Sequence, residues 1–196
     1  MGKSQWRAIV GRKVSGSAGL EILPMVLTTW RAWHRRHPET TVMELDSSLA
    51  RRHGFAYKEG AADRARAGVA FPVWQKSEAL DRNAEVYALV LDDRPKAYPI
   101  EQLKAARVVN DTLGERSLVL VANARSGAIR PYERGESMFS PAERTDGLRD
   151  AQGRRYLITE EALVADGLAP LPRLSGHVAF WFGWFGFYPH TELWSE

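Results

Sequence analysis

GLEILPMVLTTWRAWHRRHPETTV, residues 19–42, and GLAPLPRLSGHVAFWFGWFGFYPHTEL, residues 167–193, follow one pattern. Each opens Gly-Leu and has Leu-Pro four residues after the glycine, at Leu23-Pro24 and Leu171-Pro172. Each continues with Trp-x-x-Trp, three spacers, an aromatic ring and a proline. These are Trp30, Trp33, His37 and Pro38 in the first copy, and Trp181, Trp184, Tyr188 and Pro189 in the second. The second copy holds three extra residues between Leu-Pro and its first Trp. The recurrence predicts one structural unit used twice.

The first copy predicts a helix over 25–37, with Pro24 in the first turn, where a missing N–H costs nothing. Leu27, Trp30, Trp33 and His34 share one face at helical spacing, and Arg31, Arg35 and Arg36 the other. Pro38 stops it. The second copy predicts a helix over about 177–187 that is apolar all round, hence buried or at an interface. Gly183 and Gly186 weaken it by roughly 1 kcal/mol each relative to Ala, and in exchange permit close packing. Where the first copy has His37 the second has Tyr188, which keeps a ring with a polar tip and discards a metal ligand. Trp30, Trp33, His37, Trp181, Trp184 and Tyr188 therefore read as packing residues, ahead of a stacking platform for sugars or bases.

Outward from these copies, the composition is that of a folded chain: 196 residues, 44% apolar and 26% charged. That suits one domain or two closely packed halves. There is no cysteine, which removes disulfides, thiol nucleophiles and Cys-ligated metals. The residues call for no cofactor. Met1 to Gly11 is polar and does not read as a signal peptide, and no apolar run has transmembrane length. Net charge is +3, unevenly spread: residues 1–70 hold 12 Lys/Arg against 6 Asp/Glu, and residues 71–196 hold 15 against 18. Arg12, Lys13, Arg31, Arg35, Arg36, Arg51 and Arg52 form a basic N-terminal set that could meet an anionic ligand or nucleic acid, but no nucleic-acid motif accompanies them.

Between the copies the pattern is β. A strand is expected at Trp6–Val10, another over Thr40–Leu45, and a long loop over 46–70 with a helical turn near Ala61–Arg66. Ala70 to Val73 is a short apolar segment. Glu85–Leu91 is a strong strand, Asp92 to Pro95 a turn and Lys96–Pro99 the returning strand. Glu101–Ala106 reads as a short helix, Val108–Asp111 as extended and Leu118–Ala122 as a buried strand. Ala128–Arg134 is a strand whose Pro131 requires an edge or bulge. Residues 135–153 read as irregular or a hairpin, Arg155–Thr159 as a strand and Glu160–Val164 as a helical turn.

Several segments in this order resemble the domain-of-unknown-function 3179 family: the 23–42 stretch, EGAA at 59–62, FPV at 71–73, KAYPI at 96–100, VVNDTLG at 108–114, SGAIRPYER at 126–134 and the closing FWFGWFGFYPHTEL. The resemblance implies two tandem halves, each ending in the Trp-pair helix. On it, residues 1–47 are the end of a first half and 48–196 a whole second half. The chain then reads as a fragment whose missing upstream half would leave an apolar face prone to self-association. The family's C-P-L-C-G-T segment is absent, with Asn123 and Ser126 standing where its two cysteines would be. Ala106-Arg107 replace a His-containing segment. The resemblance implies architecture and no activity.

For chemistry, Asp111 could act as a general base, or close an Asx turn with Asn110. Asn123, Arg125 and Ser126 follow the buried strand, and Ser126 lies in no G-x-S-x-G elbow. Asn110, Arg125, Tyr98, Tyr132 and Arg134 are candidates for ligand contact. His34 and His37 are spaced for one metal, but no carboxylate completes a set. The expectation is an α+β domain spanning 1–196: a mainly antiparallel twisted sheet or partial barrel covered by two Trp-pair helices. Its function is read as a non-catalytic structural or ligand-binding module. The alternatives are a hydrolase using Asp111 with Asn123 or Ser126, and an anionic-ligand or nucleic-acid binder.

Overall fold

The structure, a computed structural model, describes residues 23–42, 74–142 and 147–195. The described elements, in order, are α1 (Trp30–Arg36), β1 (Glu85–Leu91), β2 (Arg94–Pro99), α2 (Ile100–Ala106), β3 (Val108–Leu113), β4 (Arg116–Ala122), β5 (Ile129–Glu133), β6 (Phe139–Pro141), β7 (Gly147–Asp150), β8 (Arg155–Ile158), β9 (Ala162–Val164), β10 (Leu171–Pro172), β11 (His177–Phe180), α3 (Trp181–Phe187) and β12 (Glu192–Leu193). They make three sheets, none closed, ordered β11-β1-β2-β12, β3-β4-β5 and β10-β9-β8-β7-β6. All pairings are antiparallel except β12 with β2. The α+β class with mainly antiparallel sheets therefore holds. No helix among the described residues is long and apolar enough to cross a membrane.

Strand periodicity sets the layers. Successive side chains point to opposite faces, so a strand apolar at every position must serve two cores. In β1, Tyr87, Leu89 and Leu91 join one core with Tyr98, Leu118, Leu120, Ala122 and Ile129. Val86 and Ala88 join another with Ala97, Trp181 and Trp184. In β4, Leu118 and Leu120 face the first sheet, while Val119 faces Phe139, Leu148, Tyr156 and Leu163 of the five-stranded sheet. The order is thus α3, first sheet, middle sheet, third sheet, with the middle sheet buried on both faces.

The β1–β2 hairpin closes through Asp92 and Asp93, both left-handed at φ 48 and 61. That two-residue turn suits the strand twist, and it is shorter than the four-residue turn expected at 92–95. Pro131 lies in β5, an edge of its sheet, where its missing N–H breaks no ladder. Its carbonyl accepts from Leu174 N at 2.9 Å, and a Tyr132–Arg173 bridge extends that edge.

Several expectations are corrected. The helix read over 25–37 spans Trp30–Arg36 only; Thr29 is extended and caps it, its hydroxyl accepting from Ala32 N at 3.3 Å. The pair Thr28-Thr29 is β-branched and favours extended backbone, so Pro24 takes no part in the helix. The helix read over 177–187 begins at Trp181, because His177–Phe180 pairs with β1 as β11. Glu160–Val164 is no helical turn: the Thr159 hydroxyl accepts from Glu161 N and Ala162 N, and β9 follows. Only α3 covers a sheet with buried indoles; α1 has no buried residue and Trp30 is 51% exposed. Gly183 has nothing within 4 Å of where a Cβ would stand, so close packing does not require it. Gly176 is the glycine that packing demands, since a Cβ there would lie 2.7 Å from Tyr87 Cε1. Thr40–Val42 is irregular, and 43–45, Trp6–Val10, the 46–70 loop with its Ala61–Arg66 turn and Ala70–Val73 lie outside the described residues.

Candidate functional site

The polar residues of interest gather on β3, an edge strand of the middle sheet. Asn110 and Asp111 are adjacent, so they face opposite sheets. Asp111 Oδ2 accepts from Tyr98 Oη at 2.8 Å and lies 2.8 Å from Lys96 Nζ; Oδ1 accepts from Thr112 N at 2.7 Å. Lys96 and Tyr98 share one face of β2 because they are two residues apart. The parallel strand β12 sets Glu192 opposite Lys96, at 3.6 Å between charged atoms. Tyr98 and Lys96 are both buried. Burial first, then the charge and hydrogen bond of Asp111 and the charge of Glu192, push the Tyr98 hydroxyl far above its ordinary pKa. It stays protonated and donates, so it cannot serve as a base near neutrality.

Asn110 reaches the other way. Its Nδ2 donates to Phe139 O and its Oδ1 accepts from Phe139 N, both at 2.8 Å. The side chain thus pairs with β6 as a peptide unit would. Arg134 wraps the same corner, donating to the carbonyls of Asp111, Gly135 and Ser137 and to the Thr112 hydroxyl. Tyr132 Oη donates to Thr159 O at 2.5 Å, and burial holds that hydroxyl protonated as well.

Asn123 and Ser126 lie elsewhere. Asp111 pairs with Leu118, and Asn123 follows five residues along that strand, about 17 Å away at the ordinary strand rise. There Asn123 Oδ1 accepts from Arg125 N and Ser126 N at 3.1 Å, and Ser126 Oγ accepts from Ala128 N at 3.4 Å. Gly127, at φ 70, completes the β4–β5 turn. Arg125 is exposed at its tip.

The chain matches the family described as "Protein of unknown function (DUF3179)" over residues 2–191. It belongs to DUF3179. No curated protein and no solved structure matches it. Two of the segments that carried the resemblance, KAYPI and VVNDTLG, supply Lys96, Tyr98, Asn110 and Asp111 of this polar cluster. At the positions where the resemblance implies cysteines, Asn123 and Ser126 close a turn.

Neither His34 nor His37 meets a metal-binding set; among the described residues no group of three His, Asp or Glu could hold an ion. His37 stacks on Trp33 at 4.1 Å between ring centres, and His34 lies 5.1 Å from Trp30.

Two arrangements escaped sequence reasoning. Glu160 is gripped by Arg130, through Nε and Nη2, and by Arg173 Nη1 at 2.6 Å, with Arg36 at 3.8 Å. Arg173 Nη2 also donates to Met25 O at 2.8 Å, so this knot ties the 23–42 segment to the third sheet. Burial raises the Glu160 carboxyl, but the bonds and charges of Arg130 and Arg173 outweigh it and hold its pKa below the ordinary value. The arginines lie 13 to 124 residues from Glu160 in the chain and carry no spacing signal. The second is Trp33 Nε1 to Thr40 Oγ1 and Trp184 Nε1 to Thr191 Oγ1, each 2.9 Å. This one had a signal, the Pro-x-Thr that ends both copies.

Proposed function

We propose that this chain is a non-catalytic module assembled from a duplicated unit, in which Asn110 and Asp111 on β3 join sheets and Asn123 and Ser126 close a turn. One observation carries the reading. Asn110 and Asp111 commit both ends of their side chains to protein partners, and the acceptors of Asn123 and Ser126 are taken by main-chain amides. Nucleophilic catalysis needs a base within hydrogen-bond reach of the nucleophile. Among the described residues no His or carboxylate bonds to Ser126, and the β3–β4 register keeps Asp111 away from it.

Duplication is supported by matched geometry at a constant offset. Both helices have seven residues, Trp30–Arg36 and Trp181–Phe187. Their preceding residues Thr29 and Phe180 have φ,ψ of −76, 146 and −78, 142. Their caps His37 and Tyr188 have −130, 70 and −128, 70, each donating N–H to the second Trp's carbonyl. The same indole-to-threonine bond closes both.

The test is turnover of p-nitrophenyl acetate, butyrate and phosphate by the whole chain, with Asp111→Asn and Ser126→Ala beside it. The three proteins should not differ. A rate lost in Ser126→Ala at an unchanged unfolding midpoint would sink the reading.

A further inference from the structure

β11 and β12 flank α3 in the chain, and the β1–β2 hairpin lies between them: β11 pairs antiparallel with β1, and β12 parallel with β2. Two strands fill the gap, so β11 and β12 stand three strand spacings apart, about 14 Å. The hairpin face under α3 is small and apolar. Val86, Ala88 and Ala97 pack against Trp181 and Trp184, with Ala88 directly opposite Ala97. Both indoles are thereby buried, at 2% and 3% exposure.

The 23–42 segment repeats this frame without the filling. The backbone match from Thr29 to His37 runs on to Thr40, whose N–H donates to His37 O at 3.1 Å as Thr191 N does to Tyr188 O at 3.0 Å. At the same offset Leu27 stands for Val178 of β11, and Val42 for Leu193 of β12. Leu27 is 68% exposed, Trp30 51% and Val42 69%. Among the described residues neither 23–29 nor 40–42 pairs as a strand, and no residue of the segment enters the three cores. Polar ties hold it instead, Arg173 to Met25 O and Arg36 to Glu160, and they leave Trp30 open to solvent.

We infer that the 23–42 segment is a clip for a β-hairpin of another polypeptide, with small apolar residues on the face that meets Trp30 and Trp33. The inference rests on the duplicated unit proposed above. Residues 27–28 take one strand antiparallel and 41–42 the other in parallel, as β11 and β12 do. A single added strand would leave one flank unpaired. In such strand addition, main-chain bonds supply affinity and alternate side chains supply specificity. Here the specificity is size: two indoles over the face leave room for Val and Ala, and longer side chains overpack it.

The probe is a backbone-cyclised peptide of residues 84–100 of this chain, carrying Leu89→Thr and Leu91→Thr for solubility; it contains no tryptophan. The second unit, filled by β1–β2, does not compete for it. Indole N–H resonances of the whole chain are followed by proton–nitrogen correlation spectra, those of Trp30 and Trp33 identified by their loss in Trp30→Phe and Trp33→Phe. The peptide should move both, and bind about tenfold more weakly to Trp30→Arg, the scale of a lost tryptophan anchor. A peptide with Ala88→Arg and Ala97→Arg should not bind. Resonances unmoved at millimolar peptide, or the two peptides binding alike, overturn the inference. So does a chain that sediments as a dimer, is made monomeric by Trp30→Arg and ignores the peptide, since a second copy then covers the segment. Should Trp33→Phe not fold, Trp30→Phe and Trp30→Arg decide, because Trp30 is the more exposed of the pair. Ester turnover reports on the non-catalytic reading and this titration on the clip, so each can fail without the other.

Discussion

Asn110 and Asp111 are consecutive on one edge strand and hold opposite sheets. Asn110 makes two hydrogen bonds to the main chain of Phe139, while Asp111 takes the Tyr98 hydroxyl and the Lys96 ammonium. The alternation of a strand thereby turns a dipeptide into a rivet through three layers.

Removing the Asn110 half should be costly. Asn110→Ala leaves the Phe139 N–H and carbonyl without their partner, and each unmet buried group costs about 1–3 kcal/mol. Urea unfolding should show a midpoint shift of that order with an unchanged slope. A variant that melts with the wild type would mean that water replaces the side chain at no loss.

The Asp111 half is an ion pair whose side chains are 10% and 16% exposed, for Lys96 and Asp111. Breaking such a pair from one side costs about 3–5 kcal/mol, because the remaining charge is buried alone. Asp111→Ala should therefore destabilise strongly, and Lys96→Met with Asp111→Leu should recover much of the loss. A cost for Asp111→Ala under about 1 kcal/mol, typical of a solvated pair, would show that the site is open to water.

Glu160 gives a pH signature. Its folded-state pKa lies below the ordinary 4.5, held there by Arg130 and Arg173 against burial. Stability from this carboxylate is present above that ordinary value and disappears as pH falls through the depressed one. Melting temperature should thus decline below about pH 5, and Glu160→Gln should flatten part of the decline. Parallel curves for the two proteins would rule out Glu160 as a source of the slope.

The two tryptophan pairs should differ in cost. Trp184 is buried in the core under β1 and β2, and Trp184→Ala should cost about 3–5 kcal/mol. Trp30 is 51% exposed, and Trp30→Ala should stay within about 0.5 kcal/mol of wild type. Equal losses in guanidinium unfolding would place Trp30 in a core.

Two glycines should respond in opposite directions. Gly183→Ala enters open space in a helix and should stabilise by about 0.5–1 kcal/mol. Gly176→Ala would crowd Tyr87 and the Ala88 carbonyl and should destabilise by about 1–3 kcal/mol. Thermal melts of both variants check the pair, and a loss in Gly183→Ala would point to a neighbour over that helix.

The strands from Glu85 to Ala122 were legible because apolar runs bounded by Asp, Gly and Pro are local signals. The ends of both Trp-pair helices were legible for the same reason, at Pro38 and Pro189. Their starts were not. Thr29 caps α1 through its own hydroxyl, and His177–Phe180 is claimed by β1, a partner some ninety residues away that outweighs its apolar helix-like run. Asp111 was singled out in advance, but its partners Lys96 and Tyr98 came only from the register of β2 against the middle sheet. Asn123 and Ser126 were grouped with Asp111 by residue type, and strand length separates them.

By itself the sequence determined the family, the mainly antiparallel α+β class, and the recurrence of the Trp-x-x-Trp unit, all written in local pattern. Only the tertiary structure decided which unit is buried, what Asn110 and Asp111 hold, and that Glu160 gathers arginines from β5, the 23–42 segment and the chain after β10. Those outcomes rest on contacts between residues far apart in the chain, and burial and charge pairing act through distance in space, which no window of sequence contains.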